Sequence, residues 1–536
     1  MESLFSSILF GNVSTSILAF VTLLLTFLWL RRNPSRGSLP PGPFRFPFLG
    51  SISILPRFLS NVKRHQLLID LPKRYGRIFS FAVGKQIFVF LNDLDTIKEA
   101  FVTKADVISD RTSEKVTSIL GVGGEFEKYT GLGIGEANFS KAFKERKRLA
   151  LQSMKEFGFG GVSMDAKVVE ETEFLIDALK DHVTPPDGGT RKSTDVHQRL
   201  IHLAVSNVIC SVVFGRRFDY DDPSFVLAVN GIKVLFSKQR GKKVAQLPFA
   251  KHVPYVRRII AEEIEQATHV YSFIGEQIES HRESFDPSVD PKDFIDICLQ
   301  KAEFNDGRSQ DVDVVGPENV RKIIADLFFA GTDTTATSVM WFLLFMMRYP
   351  EVQRRCHAEI DARFEDVDGG GGLTKDTITR LFPYTVATML ESQRINSIAN
   401  ASLAHVTREN VTLGGYSVPK HSLVFANIRS LHFDDKYWKN PEAFDPTRWL
   451  EAVPADEIHS SGFKVIQHSH FIPFSVGKRR CLGENLAKAE YLIFGLSLLR
   501  IFKFDVEDES NPPSFEGSGL ILAPLPFEMV IEQRLV

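Results

Sequence analysis

The stretch FSVGKRRCLG, Phe474–Gly483, decides how the chain is interpreted, because it places one cysteine among glycines and basic residues. Cys481 can be a metal ligand, a nucleophile or a buried apolar residue, and burial is the commonest outcome for a cysteine. Gly477 and Gly483 permit a close approach of the backbone to a flat or bulky group. The three basic residues 478–480 and the helix predicted to begin just after Gly483 both favour the thiolate. A thiolate so placed is a nucleophile or a metal ligand.

Composition excludes several other classes of protein. The chain has 536 residues, 43% of them hydrophobic, and a net charge of −2, so it is a globular protein with no global attraction to nucleic acid. Its four cysteines lie far apart without a C-x-x-C pair, which argues against a disulfide framework or a zinc site and favours a reducing compartment. There is no C-x-x-C-H motif, so any haem would be held without covalent links.

The N-terminal segment predicts a membrane anchor. No charged residue occurs between Ser3 and Leu30, and the apolar part of this segment approaches the ~20 residues that a membrane helix needs. A cleaved signal peptide is the alternative, but the segment has no basic n-region and no small-x-small cleavage site. Arg31 and Arg32 then orient the rest of the chain toward the cytosol. We therefore predict a single transmembrane signal anchor over residues 1–32.

Three segments follow from this reading. Residues 33–50 are rich in proline and predict a stiff, extended hinge, and residues 51–536 are predicted to form one large domain. RIFSFAVGKQIFVFLN predicts two strands that turn at Gly84 and Lys85, and VTLGGYSVPKHSLVFAN predicts a second hairpin. Long helical patterns dominate from Lys141 to Asp376. The predicted fold class is therefore mainly α with a small β region (α+β).

The cysteine stretch carries a family resemblance. Phe474, Gly477, Arg479, Cys481 and Gly483 match F-x-x-G-x-R-x-C-x-G, and on this pattern the chain resembles the cytochromes P450. Together with the loop, the phrases GIGEANFSKAFKERKRLAL and MKEFGFGG resemble their animal microsomal family-2-like branch. The resemblance implies the cytochrome P450 fold and a non-covalent haem b with Cys481 as the axial thiolate ligand of the iron. It also implies that Phe474 packs near the sulfur, that Arg479 pairs with a haem propionate, and that both glycines lie at the cofactor.

A second motif, AGTDTT at Ala330–Thr335, lies inside a long apolar helical pattern. Threonine hydroxyls can bond back to helix carbonyls and bend the helix. A polar seam between core helices is the plain alternative. The family resemblance implies instead that Ala330 and Gly331 contact the haem and that Asp333 and Thr334 relay protons to dioxygen, as general acid–base chemistry requires.

A third motif predicts structure rather than chemistry. Glu391 and Arg394 are three residues apart on a predicted helix, a spacing that is usually a solvated surface pair. PEAFDPTRW follows, and the resemblance implies that its Arg448 joins the other two in a buried triad. The triad would hold the region around the cysteine loop.

The remaining haem contacts depart from the family pattern. The family's W-x-x-x-R appears here as Phe143 and Lys147, so the indole N–H is lost and the lysine keeps the charge but not the fork. Arg111 and His405 are further propionate candidates. A lone histidine is more often a satisfied core residue.

The resemblance also implies a substrate pocket beside the haem. Phe328 and Phe329 precede AGTDTT and suggest an apolar lining. Asn400 stands where related members usually have proline, so together with Ala399 and Ala401 it is predicted to shape the pocket.

The predicted function is that of a haem-thiolate monooxygenase in the endoplasmic reticulum membrane. It would use dioxygen and NADPH electrons from cytochrome P450 reductase, with cytochrome b5 as an optional second partner, to hydroxylate or epoxidise a lipophilic fatty acid, steroid or xenobiotic. Two alternatives remain open: a haem-thiolate isomerase or dehydratase that works without reductase, and a non-enzymatic haem-thiolate gas sensor. A basic docking patch for the reductase is predicted from Lys141, Lys144, Arg146, Lys147, Lys478 and Arg480, with an ordinary solvated helix face as the alternative.

Overall fold

The structure is a computed structural model. It describes residues 20–24, 39–46, 49–60, 64–111, 129–158, 161–183, 193–237, 253–304, 316–369, 372–453 and 462–534. The predicted anchor, residues 1–32, therefore lies outside the described residues except for 20–24, which are helical. The predicted hinge, 33–50, is described from 39 to 46 and at 49 and 50.

Helices make up most of the described chain, as predicted. In chain order they are α1 Leu55–Leu59, α2 Arg64–Tyr75, α3 Leu94–Lys98, α4 Ala105–Ile108, α5 Lys141–Glu156, α6 Val162–Lys180, α7 Val196–Val213, α8 Pro223–Ser237, α9 Pro254–Ser284, α10 Phe294–Phe304, α11 Pro317–Arg348, α12 Pro350–Arg363, α13 Asp366–Gly369, α14 Lys375–Leu381, α15 Pro383–Ile395, α16 Ile428–His432 and α17 Glu484–Ile501. A π-helical turn spans Glu99–Thr103, and short 3₁₀ turns span Ile52–Ile54, Pro446–Trp449 and Gly477–Arg479.

The strands are short and form one larger sheet with several small ones. They are β1 Ile78–Val83, β2 Gln86–Leu91, β3 Ser193–Thr194, β4 His405–Val406, β5 Val411–Leu413, β6 Tyr416–Val418, β7 Leu423–Ala426, β8 Leu450–Ala452, β9 Phe463–Val465, β10 Phe502–Asp505, β11 Gly517–Ser518, β12 Ala523–Pro524 and β13 Met529–Gln533. The largest sheet has the order β1-β2-β7-β4, and β2 and β7 are parallel. Both predicted hairpins are confirmed, with turns at Gly84 and at Gly414–Gly415, all at positive φ. The fold class is thus mainly α with a small β region.

Several of the 45 phenylalanines lie on this sheet and stack across its strands. Phe79 stacks on Phe90, and Phe81 stacks on Phe88, across the β1–β2 pair. Phe425 of β7 continues the stack at 4.8 Å from Phe90. Cross-strand aromatic pairs of this kind stabilise a small sheet that has few residues per strand.

Helix α11 is the centre of the main core. From Ala336 to Met347 its side chains are buried all round, because neighbouring helices α7, α8, α9 and α17 pack against it. Earlier in the helix one side is open: Ala330 is exposed, and Leu327 and Thr334 are only half-buried. The helix runs unbroken through the threonines, and the Thr334 hydroxyl donates to the Ala330 carbonyl oxygen at 2.7 Å, the back-bonding that the sequence predicted.

Within the described ranges, α7 is the one helix long and apolar enough to cross a membrane. About three quarters of it, 78%, is buried inside the protein, as is usual for a core helix.

Candidate cofactor site

The cysteine loop is a tight turn ahead of a helix. The Cys481 amide donates to the Phe474 carbonyl oxygen at 3.1 Å, and Arg480 closes the 3₁₀ turn onto Gly477. Helix α17 begins at Glu484, and the Gly483 N–H lies within hydrogen-bonding reach of the Cys481 sulfur. Cys481 is also accessible to solvent, whereas Cys210, Cys298 and Cys356 are buried. The structure therefore singles out Cys481 as the cysteine whose sulfur can reach a ligand.

The two glycines of this loop are required for different structural reasons. Gly477 has φ +80°, and a β-carbon there would lie 1.9 Å from the Phe101 carbonyl oxygen, so the loop packs directly on the π-helical turn. Gly477 thus allows a close approach to the protein backbone, while its predicted contact with a cofactor stays a prediction. At Gly483 a β-carbon would meet nothing within 4 Å. Gly483 therefore does border open space next to the sulfur.

The basic neighbours lower the pKa of the Cys481 thiol as the sequence predicted, but their effect is outweighed. Although the residue is accessible to solvent, the protein atoms packed around its side chain desolvate the sulfur and raise the thiol pKa above its ordinary value, against the lowering effects of the Gly483 N–H, Lys147 and Arg480. Lys478 is paired with Asp106 at 2.5 Å, and Arg480 is paired with Glu484 at 2.6 Å, so their charges are largely compensated. A bound metal ion would deprotonate the thiol outright.

Two half-buried guanidinium groups lie near the loop and form no ion pair with a carboxylate in the described chain. Arg479 donates to the carbonyl oxygens of Ser109 and Ala137 at 2.9 and 2.5 Å. Arg111 donates to that of Ala404 at 2.7 Å, and its buried Nε has no acceptor among the described residues. Burial, and then repulsion from Arg111, lowers the pKa of Arg479 to about 9, and burial lowers the pKa of Arg111 to about 10.

The two departures from the family pattern join this cluster. The guanidinium of Arg479 lies over the Phe143 ring at 3.8 Å, so phenylalanine supports the arginine through a cation–π contact. Lys147 donates to the Lys478 carbonyl oxygen at 3.2 Å, and burial and then repulsion from Arg479 lower its pKa. His405 is buried, and its pKa falls well below the ordinary value through burial and then repulsion from Arg111. Its ring stays neutral and stacks on Phe101.

Arg111, Lys147 and Arg479 together fit a group with two negative charges. These three side chains are half-buried, and desolvated cations that repel one another are costly unless an anion compensates them. Haem brings two propionates for these cations and a planar ring for the open space beside Cys481 and Gly483. The residues present therefore fit a non-covalent haem with cysteine ligation.

This fit predicts opposite effects of one substitution on the haem-free and haem-loaded protein. Arg111→Met removes a half-buried cation that forms no ion pair among the described residues, so the haem-free protein should be at least as stable as the parent. Haem binding should weaken by about tenfold or more, since a charge-assisted hydrogen bond of about 1.5–3 kcal/mol is lost. Haem titration and denaturant unfolding measure the two effects.

Arg408→Met is the matched control. Arg408 lies nearby but already holds Asp110 through two hydrogen bonds of 2.7 and 3.0 Å. Its loss should affect unfolding and leave haem affinity unchanged. If both variants bind haem like the parent, Arg111 is not a propionate partner.

Helix α11 places the AGTDTT residues on different sides. Ala330 and Thr334 are on its open side, in keeping with the predicted role of both. Gly331 instead lies against α7, because a β-carbon there would be 3.3 Å from the Ile209 side chain. Asp333 is also buried toward α7, where its Oδ1 lies 3.3 Å from Nε2 of His202. The sequence predicted cofactor contact for Gly331 and a proton relay for Asp333, and gave no sign of His202.

The predicted pocket residues are also separated. Phe328 is fully buried and packs against the rings of Phe214 and Phe273. Consecutive helical residues point about 100° apart, so α11 turns Phe328 and Phe329 to different sides, and a place for Phe328 in the pocket stays a prediction. Phe329 is half-buried against Phe236 and Tyr271.

The segment around Asn400 is partly open. Ala399, Asn400 and Ala401 are each half-buried. The Asn400 carbonyl oxygen accepts the Arg429 amide at 3.0 Å, and its side-chain Oδ1 is a buried atom without a donor among the described residues. This orphaned acceptor is compatible with a polar contact in the predicted pocket.

The three residues of the predicted triad meet as expected. Arg394 forms two hydrogen bonds to Glu391, at 2.7 and 2.8 Å, and Arg448 donates to the same carboxylate at 2.9 Å. The Trp449 indole supplies a fourth bond to it at 2.9 Å. Arg394 also donates to the His432 carbonyl oxygen, and the His432 ring accepts the Ile472 amide, two residues before Phe474. The triad is therefore linked directly to the start of the cysteine loop.

A basic groove lies on the surface next to the cysteine loop. Its volume is about 510 Å³, and its lining residues are Phe139, Phe143, Lys144, Lys147, Arg148, Leu151, Gln152, Lys155 and Lys478. Arg146, predicted for a docking patch, is excluded because it is buried and donates to Asn319 at 2.9 Å. Arg148 and Lys155 belong to the groove but escaped the sequence prediction, although their i, i+3/i+4 spacing from Lys144, Lys147 and Leu151 could have indicated one helix face.

Comparison with known proteins gives a consistent result. The family described as Cytochrome P450 matches residues 40–531. The chain is 34% identical to mouse (Mus musculus) Cytochrome P450 2U1 over 542 residues, which cover 97% of this chain and 95% of the relative. It is 33% identical to the cattle (Bos taurus) protein of that name, covering 97% and 93%, and 31% identical to Cytochrome P450 2D6 of Pan paniscus, covering 97% and 99%.

Proposed function

Because the chain belongs to the cytochrome P450 family and is a haem-thiolate monooxygenase, we propose that it hydroxylates or epoxidises a lipophilic substrate with electrons that a reductase draws from NADPH. Fatty acids, steroids and apolar xenobiotics are the substrate classes. The observation that supports this best is the solvent-accessible Cys481 ahead of α17, beside a cluster of half-buried cations suited to propionates.

The side chains of the site have separate roles. Haem supplies the activation of dioxygen and the insertion of one oxygen atom when it is bound. Cys481 would provide the thiolate, steadied by the Gly483 N–H, and Arg111, Lys147 and Arg479 would hold the propionates of the haem. Thr334 keeps a hydroxyl on the open side of α11, and Asp333 is the residue that would supply protons there. The half-buried side chains Leu327, Ala330 and Phe329 favour an apolar substrate.

A membrane location agrees with such a substrate. We propose residues 1–32 as the anchor in the endoplasmic reticulum membrane, 33–50 as the hinge and 51–536 as the cytosolic catalytic domain. Within the described residues, Phe20 and Leu23 of the anchor and Phe44, Phe46 and Leu49 of the hinge are exposed apolar side chains. Such exposed groups are expected where a protein meets a lipid surface.

Reconstitution tests the proposal. Purified protein with NADPH–cytochrome P450 reductase in vesicles should consume NADPH and dioxygen and yield an oxygenated product from at least one member of a fatty-acid, steroid and aromatic panel. Product formation from peroxides without reductase would support the isomerase alternative. Binding of carbon monoxide with no product under either condition would support the gas sensor. Cytochrome b5 added to the mixture should raise the rate or leave it unchanged.

We propose the basic groove as the reductase docking site. Its cations available to a partner are Lys144, Arg148 and Lys155, since Lys147 is assigned to a propionate and Lys478 is paired with Asp106. The groove lies beside the Cys481 loop, which shortens the path for electrons. A concave basic surface favours an acidic partner and accelerates its association.

Charge reversal at the edge of the groove should weaken docking. Lys144→Glu with Lys155→Glu should lower the rate of reduction by reductase about tenfold at low ionic strength, with a smaller effect at high salt, because surface charges mainly change association rates and are screened. The carbon monoxide spectrum should not change. Lys180→Glu, an exposed lysine at the end of α6, is the control. Equal reduction rates for all variants would place the docking site elsewhere.

A further inference from the structure

A buried histidine faces the acid of the AGTDTT motif from a neighbouring helix. His202 on α7 is 3% exposed and Asp333 on α11 is 4% exposed, and Nε2 of the first lies 3.3 Å from Oδ1 of the second. The helices come this close because Gly331 has no side chain and lets Ile209 pack onto the α11 backbone. The contact is thus fixed by the fold and not by a flexible surface pair.

The other ring nitrogen determines how many protons this contact holds. Nδ1 of His202 lies 2.6 Å from the carbonyl oxygen of Gln198. A carbonyl oxygen can only accept, so Nδ1 must carry a proton. If the ring were neutral, Nε2 would present a lone pair to Oδ1. An ionised Asp333 also has only lone pairs at Oδ1, so no hydrogen bond could form between the two atoms. The geometry therefore requires one further proton between Nε2 and Oδ1, as imidazolium with carboxylate or as imidazole with carboxylic acid.

The neighbouring titratable groups leave the proton between Nε2 and Oδ1 to His202 and Asp333. His197, on the same helix, has its pKa lowered to about 3 by burial and is neutral. Lys233 of α8 acts electrostatically on His197. Glu490 of α17 is fully buried, and burial raises its pKa to about 8, with Thr335 of α11 as its hydrogen-bond partner.

We propose that His202 is the proton reserve for Asp333: the pair stores one proton beside Thr334 and releases it for the protonation of oxygen. The inference rests on the proposed role of Asp333 and Thr334. The proton moves from Nε2–H to Oδ1, which leaves a neutral imidazole and a carboxylic acid. The acid, no longer held by an ion pair, rotates toward the open side of α11 and gives the proton to the hydroxyl or a water there. The returning carboxylate and a proton from bulk water restore the pair.

A purely structural role of His202 and a role as proton reserve make different predictions. If the contact only holds α7 against α11, any side chain that donates a hydrogen bond to Asp333 should suffice. His202→Gln offers such a donor but has no proton to release, and His202→Phe fills the space without a hydrogen bond. His197→Gln tests ordinary damage to α7, because His197 is equally buried and donates only to the Thr194 carbonyl oxygen.

The first measurement is the coupling of NADPH consumption to product in the reductase-containing holoenzyme, with hydrogen peroxide as the uncoupled product. His202→Gln, His202→Phe and Asp333→Asn should each lower the product formed per NADPH at least about tenfold, less than the roughly 10²–10⁴-fold that general acid–base catalysis contributes in full. His197→Gln should match the parent. Parent-like coupling in His202→Gln beside strong uncoupling in Asp333→Asn overturns the reserve and leaves the role of Asp333 intact. Parent-like coupling in Asp333→Asn overturns both the proton reserve and the proposed role of Asp333.

The second measurement does not depend on turnover. Histidine-selective ¹⁵N NMR of the substrate-free protein, with the His202 signal assigned by its loss in His202→Gln, reports the protonation of both ring nitrogens. Infrared difference spectra of Asp333→Asn against the parent report a carboxylic acid at this position. The proposal requires a proton on Nε2 or on Asp333. An unprotonated Nε2 together with an ionised Asp333 overturns it whatever the coupling shows.

Discussion

Cys481→Ser is expected to abolish the red-shifted Soret absorption that the reduced protein shows with carbon monoxide, and to lower turnover by more than about 100-fold, or about 2.7 kcal/mol in the barrier. The hydroxyl of serine is far less acidic than a thiol and is a poor ligand for a soft iron site. Since the Cys481 sulfur lies ahead of α17 and reaches open space, no other side chain in the described loop replaces it. The carbon monoxide difference spectrum and the haem content per protein measure the effect.

Cys356→Ser is the matched control for this substitution. Cys356 is buried, and its sulfur lies 3.6 Å from the Thr388 hydroxyl, a contact that serine can reproduce. Burial also raises the pKa of its thiol to about 12, so Cys356 stays protonated and is no ligand. Its spectrum should equal that of the parent. A shifted Soret band that survives in Cys481→Ser would remove the basis of the proposed function.

Glu391→Gln is expected to lower the free energy of unfolding by about 3–5 kcal/mol, the usual effect of breaking a buried ion pair from one side. The carboxylate accepts from Arg394, Arg448, Trp449 and the Asp445 amide, and both Glu391 and Arg394 are fully buried. An amide would leave two buried guanidinium groups without a counter-charge. Haem retention should fall as well, because the triad is linked through His432 to the start of the cysteine loop.

The chain contains a matched surface pair with the same spacing. Glu351 and Arg354 on α12 form an E-x-x-R ion pair, with side chains 80% and 72% exposed. Glu351→Gln should change the free energy of unfolding by less than about 1 kcal/mol. Urea unfolding of both variants, followed by circular dichroism, compares them directly. Equal effects in the two variants would show that burial does not strengthen the Glu391 interaction.

The cysteine loop and the triad could be predicted from the sequence because their residues act through fixed spacing along the chain. Cys481 stands just before a helix, so its position near the N-terminus of α17 follows from local sequence alone. Glu391 and Arg394 are one helical turn apart, and the helix brings them together whatever the rest of the fold does. Both hairpins were recognisable for the same reason, since glycine turns sit between alternating apolar runs.

The sides of α11 could not be assigned in this way. A helix that is apolar almost all round carries no periodic signal for which residues face the core and which face a cleft. The sequence therefore could not show that Phe328 is buried among core rings, nor that half-buried Gly331 lies against Ile209 of α7. The partner of Asp333 was equally hidden, because His202 lies 131 residues earlier and approaches only when α7 packs on α11.

By itself the sequence determined which cysteine is the ligand candidate, which ions form the triad and that the chain is mostly helical, because each depends on neighbours along the chain. Tertiary structure alone decided which charges remain uncompensated. Lys478 and Arg480 found carboxylates at Asp106 and Glu484, while Arg111 and Arg479 were half-buried together on backbone carbonyls. Whether a charge is solvated, paired or left for a cofactor depends on what packs around it, and that packing joins segments hundreds of residues apart.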